Sequence, residues 1–328
     1  MKGLSRKHAL WLLAVLLMAA FLYWGREDLG RIRDLDPFYA SLCFGCTLAM
    51  AVVSALKWKM SIESTGGACK VGYGKLLYYF MFGRTVGLIL PMDVSDFGVR
   101  TMSLRFGHDI PIGRASYSVY LDRTFDVVVA GLFIAPSVLY IVGAIEPRTA
   151  VGLFGAAFLL GLACFAFFGR QTMGALAFVF RILFRAACRI PWVGRRVEFE
   201  AERKLLEEVD LGGIAAWLFL LSGLKFFFTS MRFVTMAAAV GLGLGGLKVL
   251  VFVPAAQFAA LIALTPGGLG IADWSWSGLL LKIGADKHLI VPYLVSLRVV
   301  VSLSIVVIAG LSWLVFKRAS GGKDETGG

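Results

Sequence analysis

The sequence predicts an all-α polytopic membrane protein with about six full spans plus two re-entrant helical hairpins, arranged as an inverted repeat. Three observations predict it. The chain is 59% hydrophobic and 16% charged with a mean hydropathy of +0.80, a balance no soluble domain of this size carries. Apolar runs of about 20 residues recur from end to end, each long enough to cross a ~30 Å hydrocarbon core as a helix. One polar constellation occurs twice, in stretches that a membrane would orient oppositely. The first copy is Pro91-Met92-Asp93-Val94-Ser95-Asp96, then Arg105-Phe106-Gly107-His108-Asp109, then Arg123. The second is Pro266-Gly267-Gly268-Leu269-Gly270 with Asp273, then Lys282-Ile283-Gly284-Ala285-Asp286, then Arg298. In both, the arginine follows the proline by 32 residues.

The elements follow in order. Lys2 to His8 and then Ala9–Trp24 resemble the charged and apolar parts of a signal peptide. No small-residue cleavage site precedes Arg26, so the segment is read as an uncleaved first span, 9–25. Its loop sets Arg26, Arg31 and Arg33 against Glu27, Asp28, Asp34 and Asp36. Span two covers 38–56 and ends at a basic loop holding Lys57, Lys59, Lys70 and Lys75. Spans at 114–142 and 150–169 flank a Glu146-Pro147-Arg148 turn, and spans at 213–241 and 289–315 complete the crossings.

Segments 76–112 and 247–287 begin apolar, reach Pro91 or Pro266 midway, and return through a leg of about ten residues. A helix of that length rises only ~15 Å, so each is expected to dip and return. Broken backbone at membrane depth is tolerated only when buried in protein or lining a wet cavity. Arg181, Arg185 and Arg189 recur every four residues among apolar neighbours, as in an interfacial helix. Glu198–Asp210 reads as a solvated helix.

Charge sets the sides. The basic residues cluster in alternate connections, the positive-inside pattern, which places the Lys57–Lys75 loop, the 170–211 connection and both termini in the cytoplasm. That assignment requires each hairpin to enter and leave on one face, the first from the cytoplasm and the second from outside. A single transmembrane domain, 1–328, then divides into inverted halves of about 1–145 and 150–328, in the cytoplasmic (inner or plasma) membrane.

The same distribution argues against nucleic acid as the reason for a net charge of +12. Cys43, Cys46, Cys69, Cys164 and Cys188 form no disulfide framework, and the CxxC at 43–46 lies inside an apolar span with no second pair. His8, His108 and His288 are scattered. HExxH, GxSxG and P-loop motifs are absent, so no cofactor, metal or intrinsic enzyme activity is expected.

The charges inside apolar sequence are the candidate site. Arg84, Asp93, Asp96 and Arg100 belong to hairpin one, and Asp122, Arg123 and Asp126 to the span after it. Lys225 and Arg232 precede hairpin two, Asp273 lies within it, and Arg298 follows it. Intramembrane charges are costly and are kept mainly for function, and paired interruptions in two halves point to a transporter's binding site. Arg84, Arg100, Arg123 and Arg298 offer planar forks suited to a phosphate. Gly267, Gly268 and Gly270 would let backbone amides approach an anion, and Asp93, Asp96, Asp122, Asp126 and Asp273 would couple or gate. The alternative is mutual neutralisation: Asp96 with Arg100 one turn away, and Asp122 or Asp126 with Arg123.

At these residues the chain resembles the flippase-like family named for the transmembrane region of lysylphosphatidylglycerol synthase. That family's first hairpin looks like Pro-x3-Gly-Glu-x3-Arg, here Pro91 through Arg100, followed by an acidic-Arg-x2-Asp step, here Asp122-Arg123-Thr124-Phe125-Asp126. Its second reads Pro-Gly-Gly-Leu-Gly-Val-x-Glu, here Pro266 through Asp273, with an arginine in the last span, here Arg298. Ser95 stands in place of Gly, and Asp in place of Glu at 96 and 273. The family's synthase activity resides in a soluble domain that these 328 residues do not contain, so the resemblance implies lipid translocation. The expected function is movement of an amphiphilic, phosphate-bearing lipid between leaflets by alternating access. The cargo class stays open among phospholipid, polyprenyl-phosphate-linked sugar and hopanoid, and so does oligomeric state. The alternatives are a non-transporting subunit beside lipid or glycan biosynthesis enzymes, or a membrane-embedded transferase.

Overall fold

The computed structural model describes residues 6–65, 71–188, 212–262 and 269–321. Pro266, Gly267, Gly268, Cys69, Lys70, Arg189 and the Glu198–Asp210 run fall outside them. Among the described residues the chain is helical: α1 (Arg6–Trp24), α2 (Pro37–Ser64), α3 (Tyr73–Val86), α4 (Met92–His108), α5 (Ile112–Ile141), α6 (Pro147–Cys188), α7 (Ala215–Val240), α8 (Gly246–Ile262), α9 (Ile271–Lys282) and α10 (Lys287–Gly321). Five of these, α2, α5, α6, α7 and α10, are long and apolar enough to cross a membrane, with shorter apolar helices in α1 and α8. The protein is a multi-pass α-helical membrane protein.

Local chemistry sets several boundaries. Asp36 caps α2 by accepting the Phe38 N–H at 2.8 Å, with Pro37 in the first turn. Asp109 ends α4 in the left-handed region (φ 52°) and Gly241 ends α7 there (φ 69°). Three expected boundaries move. Span two continues through Lys57 to Ser64, because polar residues on one face of that stretch find buried partners and do not end the helix. The return leg of hairpin one is 17 residues rather than about ten, for the same reason: Asp96 and Arg100 are paired inside the bundle. The span at 150–169 and the Arg181–Arg185 helix form one helix, α6, broken only at Phe168.

Helices α2 and α7 run antiparallel through the centre. Lys57 meets Ser222 at 2.9 Å near one end, and the Asp36 N–H donates to the Ala239 carbonyl at 3.0 Å at the other. The start of α10 lies at that second end, because His288 contacts Asp28 at 3.2 Å. The segment between α7 and α10 therefore leaves one end of the bundle and returns to it. Trp58 donates to Ser118 at 3.1 Å, so the segment between α2 and α5 does the same at the opposite end. Both hairpins are tied internally: Tyr79 hydroxyl contacts His108 at 3.3 Å in the first, and Trp276 Nε1 donates to the Ala256 carbonyl at 2.6 Å in the second.

Contacts among these helices keep their pattern when α2, α3, α4 and α5 are exchanged for α7, α8, α9 and α10. Helix α3 rests on α10 as α8 rests on α5, α2 touches α3 and α5 as α7 touches α8 and α10, and α5 meets α7 as α10 meets α2. Residue pairs follow the same rule. Pro91 and Pro266, like Arg123 and Arg298, are 175 positions apart. That shift carries the Trp58–Ser118 contact onto Phe233–Tyr293, where the Tyr293 hydroxyl donates to the Phe233 carbonyl at 3.2 Å. Helices α1 and α6 break the pattern: α1 lies on α9, whereas α6 covers α5, α7 and α8.

Helices α6 and α7 cross where glycine removes a side chain. A Cβ on Gly223 would enter the Phe158 ring, whereas Gly155 faces open space. Overpacking of this kind costs about 1–3 kcal/mol, against an intrinsic helix gain of about 1 kcal/mol for Gly to Ala. Gly223→Ala should lower the thermal midpoint of the purified protein in detergent, and Gly155→Ala should hold or raise it. Equal midpoints would mean that this crossing is not close-packed.

Candidate functional site

The charges singled out in the first half form one connected, sign-alternating chain across four helices. Arg123 of α5 pairs with Asp96 of α4, and Asp96 lies 3.3 Å from Arg100 one turn on. Arg100 Nη1 donates to Asp122 at 2.7 Å, and Asp122 lies 2.9 Å from Lys57 Nζ. Lys57 also pairs with Asp126, whose second oxygen takes Lys225 of α7 at 2.5 Å. Every aspartate thus sits between two cations, as burial demands: an uncompensated ion in such surroundings costs several kcal/mol. The Lys57, Asp96, Arg100 and Asp122 side chains are completely inaccessible, whereas Arg123 retains 24% and Asp126 20% of its exposure. The chain is closed in its middle and reachable at those two members.

Packing holds it in register. Lys57 spends its remaining donors on the Asp122 carbonyl at 2.7 Å and on Ser222. The Arg100 guanidinium lies over the Trp58 ring at 4.2 Å, a cation–π contact whose indole is held by Ser118. Arg84 of α3 lies over Phe80 at 5.3 Å, and the same ring faces Lys225 at 5.8 Å. Gly83 brings α3 against α4 at Asp96, where a Cβ would meet the Asp96 Cα at 3.3 Å.

The second half carries a much smaller set. Arg298 Nη2 donates to both oxygens of Asp273 at 2.9 Å, with 29% of the arginine side chain still exposed. Asp273 also accepts the Gly270 N–H at 2.9 Å, which caps α9. That bond commits the Gly270 amide to Asp273. The residue's φ of +77° and the close approach of Leu17 and Met18 of α1 explain why it is glycine. Asp93 lies in the first turn of α4, and its side chain is outside the described residues.

The structure therefore brings Asp96, Arg100, Asp122, Arg123 and Asp126 together, with Arg84 alongside, and places Asp273 with Arg298 apart. Asp122 and Asp126 face Lys57 and Lys225; the partner of Arg123 is Asp96. Lys57 is the correction to the sequence reading, which put it in a cytoplasmic loop. Its signal was helical phase. Thr47, Ser54, Lys57 and Ser61 recur at three- to four-residue spacing on one face and all are fully buried, whereas Lys59 points away. Among the described residues no three His, Cys, Asp or Glu side chains converge as metal ligands would.

The family model described as "Lysylphosphatidylglycerol synthase TM region" matches residues 11–319, nearly the whole chain. Comparison with curated proteins and with solved structures gave no match.

Removing Lys57 would leave Asp122 and Asp126 short of a counter-ion in the centre of the bundle. Lys57→Met should cost about 3–5 kcal/mol of stability, the usual penalty for breaking a buried pair from one side. Adding Asp126→Asn should cost less than the two single losses together, because the groups share one network. Thermal or denaturant unfolding in detergent reads both, and strict additivity would show that these ions do not interact.

Proposed function

The chain belongs to the lysylphosphatidylglycerol synthase transmembrane-region family, lipid-handling membrane domains, and from that premise we propose that it carries an amphiphilic, phosphate-bearing lipid between leaflets. The cargo crosses by alternating exposure of a midplane site, without chemical turnover. The observation that carries this reading is the doubled aspartate–arginine tie. In each half an aspartate on the return leg of a hairpin pairs with an arginine on the long helix that follows, Asp96 with Arg123 and Asp273 with Arg298.

The exchange-invariant contact pattern and the antiparallel run of α2 against its counterpart α7 are what an inverted repeat would produce. On this reading each hairpin is one gate, entering from its own side and pinned by its own ion pair. A phosphate offers an arginine fork the same bidentate recognition as a carboxylate. A headgroup that reaches the exposed edge of Arg123 or Arg298 competes with the aspartate, and displacement of the carboxylate frees the hairpin. Cargo binding and gate release are then a single event, which is the differential interaction that any ligand-driven shift requires. Arg84 and Arg100 add positive potential around the first gate. The acyl or prenyl tails stay in the bilayer, so only the headgroup needs a polar path.

Basic residues in the 59–75 and 170–211 stretches orient the molecule with both termini in the cytoplasm of an inner or plasma membrane. Single cysteines tested with an impermeant reagent should label at Ser64 only from the cytoplasmic side, and at Glu146 and Gly245 only from outside. Cytoplasmic labelling of Gly245 would refute the inverted arrangement.

Transport is read in liposomes that contain the purified protein and a fluorescent phospholipid, by chemical quenching of the outer leaflet. Wild type should accelerate exchange. Asp273→Asn should slow it at least about tenfold, because a hairpin that cannot re-form its charge-assisted bond of ~1.5–3 kcal/mol no longer closes behind the cargo, and should change the melting midpoint little because Arg298 is already 29% exposed. Asp96→Asn should lose stability as well, because Arg123 would lose this carboxylate and Arg100 would keep only Asp122. Wild-type exchange no faster than protein-free liposomes, or full exchange in Asp273→Asn, would defeat the proposal.

A further inference from the structure

The 175-residue shift that relates the halves carries Lys57 onto Arg232. Both are cations set deep in the two central helices. Both lie one residue before the aromatic, Trp58 or Phe233, that contacts the following long helix at Ser118 or Tyr293. In the first half that long helix continues one and two turns on with Asp122 and Asp126, and Lys57 pairs with both. The same shift carries Asp122 onto Leu297 and Asp126 onto Val301. Leu297 and Val301 belong to the apolar cluster that also holds Cys43 and Phe233.

Arg232 thus keeps the position of Lys57 and loses its acids. It is half-buried, its Nε is inaccessible and without a hydrogen-bond partner, and no acid lies within ion-pair distance of it among the described residues. A guanidinium at such depth is costly without a partner or water, and the helix positions that supply an acid in the other half are aliphatic here.

We infer that Arg232 is the primary recognition residue for the anionic group of the cargo, taking at the α7–α10 contact the place that Asp122 and Asp126 fill at α2–α5. The inference deepens the lipid-carrier reading and rests on it. It divides the labour within the second half: Arg298, tied to Asp273, gates, whereas Arg232 recognises. The ligand chemistry is a phosphate mono- or diester on a membrane lipid, small enough at the headgroup to enter between two packed helices.

The test uses the full-length protein and two lipids with the same fluorescent acyl chain, phosphatidylglycerol and the uncharged glucosyl diacylglycerol. Binding to detergent-solubilised protein is read by fluorescence anisotropy and leaflet exchange in liposomes. Wild type should prefer phosphatidylglycerol. Arg232→Gln should weaken its binding about ten- to a hundredfold, the range for losing a charge-assisted hydrogen bond, and leave the glucolipid within about twofold. Leu297→Asp keeps Arg232 and supplies the carboxylate that Lys57 enjoys. It should cost the same selectivity while holding or raising the melting midpoint, so a poorly folding Arg232→Gln would not leave the question open. No phosphate preference in wild type, equal loss for both lipids, or full selectivity in Leu297→Asp overturns the inference. If binding depends on Arg232 but wild type exchanges no lipid, the site stands and the carrier reading falls. If exchange and selectivity persist in Arg232→Gln, the carrier reading stands and the site falls.

Discussion

Lys57 bonded to Asp122 and Asp126 is the constraint on which the first half of this molecule depends. Within lipid no water compensates a misplaced charge, so the three side chains can reside only where all are present. Their mutual requirement fixes α2, α5 and α7 against one another in position and rotation, because Lys57 also reaches Ser222 and Asp126 also takes Lys225. Arg100 extends the demand to α4 and hence to the hairpin. Apolar surface alone discriminates poorly among helix packings in a bilayer, where lipid tails are as apolar as leucine. The ion chain supplies the register that hydrophobicity leaves unspecified.

Much of this architecture was legible in the residues. Hydropathy located the long helices, and the matching 32-residue offsets from Pro91 and Pro266 picked out Arg123 and Arg298, each of which pairs with an aspartate. Lys57 was misread because a window average sees Lys57 and Lys59 near the end of an apolar run and registers a loop. Only the helical phase of Thr47, Ser54 and Ser61 shows that one lysine faces inward while another faces out. Once Lys57 sat in a loop, its correspondence with Arg232 was invisible, and with it the contrast between paired and aliphatic positions on α5 and α10. The choice of partner was also beyond sequence. Arg123 adjoins Asp122 in the chain, yet consecutive helical residues point about 100° apart, so Asp122 turns to Lys57 and Arg123 turns to Asp96.

The halves share a skeleton of contacts and differ in what they place on it. Asp96 and Asp273 both lie on the return legs, two positions out of the 175-residue register, and Arg123 and Arg298 correspond within it on the long helices. Arg100, however, faces Asp122 in the first half, whereas the corresponding stretch of α9 carries small hydroxyls such as Ser277. The first return leg is held by a network in which moving any member strands another charge. The other is held by one ion pair with part of its arginine exposed. Opening the first costs several desolvated interactions at once, and opening the second costs one. The two segments are thus held to unequal degrees, and the difference lies in side-chain chemistry laid on one plan of helix contacts.

That asymmetry bears on how a polar cargo is accommodated at all. A site whose every charge is matched internally has nothing left to offer a ligand, and the α2–α5 contact is close to that limit. A site whose counter-ions are replaced by Leu297 and Val301 is electrostatically incomplete, which destabilises the empty state and favours a bound anion by the same amount. Substituting aliphatic residues for two acids within one packed contact changes no backbone contact and little volume. On the proposed reading it converts a structural ion cluster into a receptor. On that reading the second half is both the more permissive gate and the stronger anion site for one reason: both follow from removing carboxylates around a retained arginine.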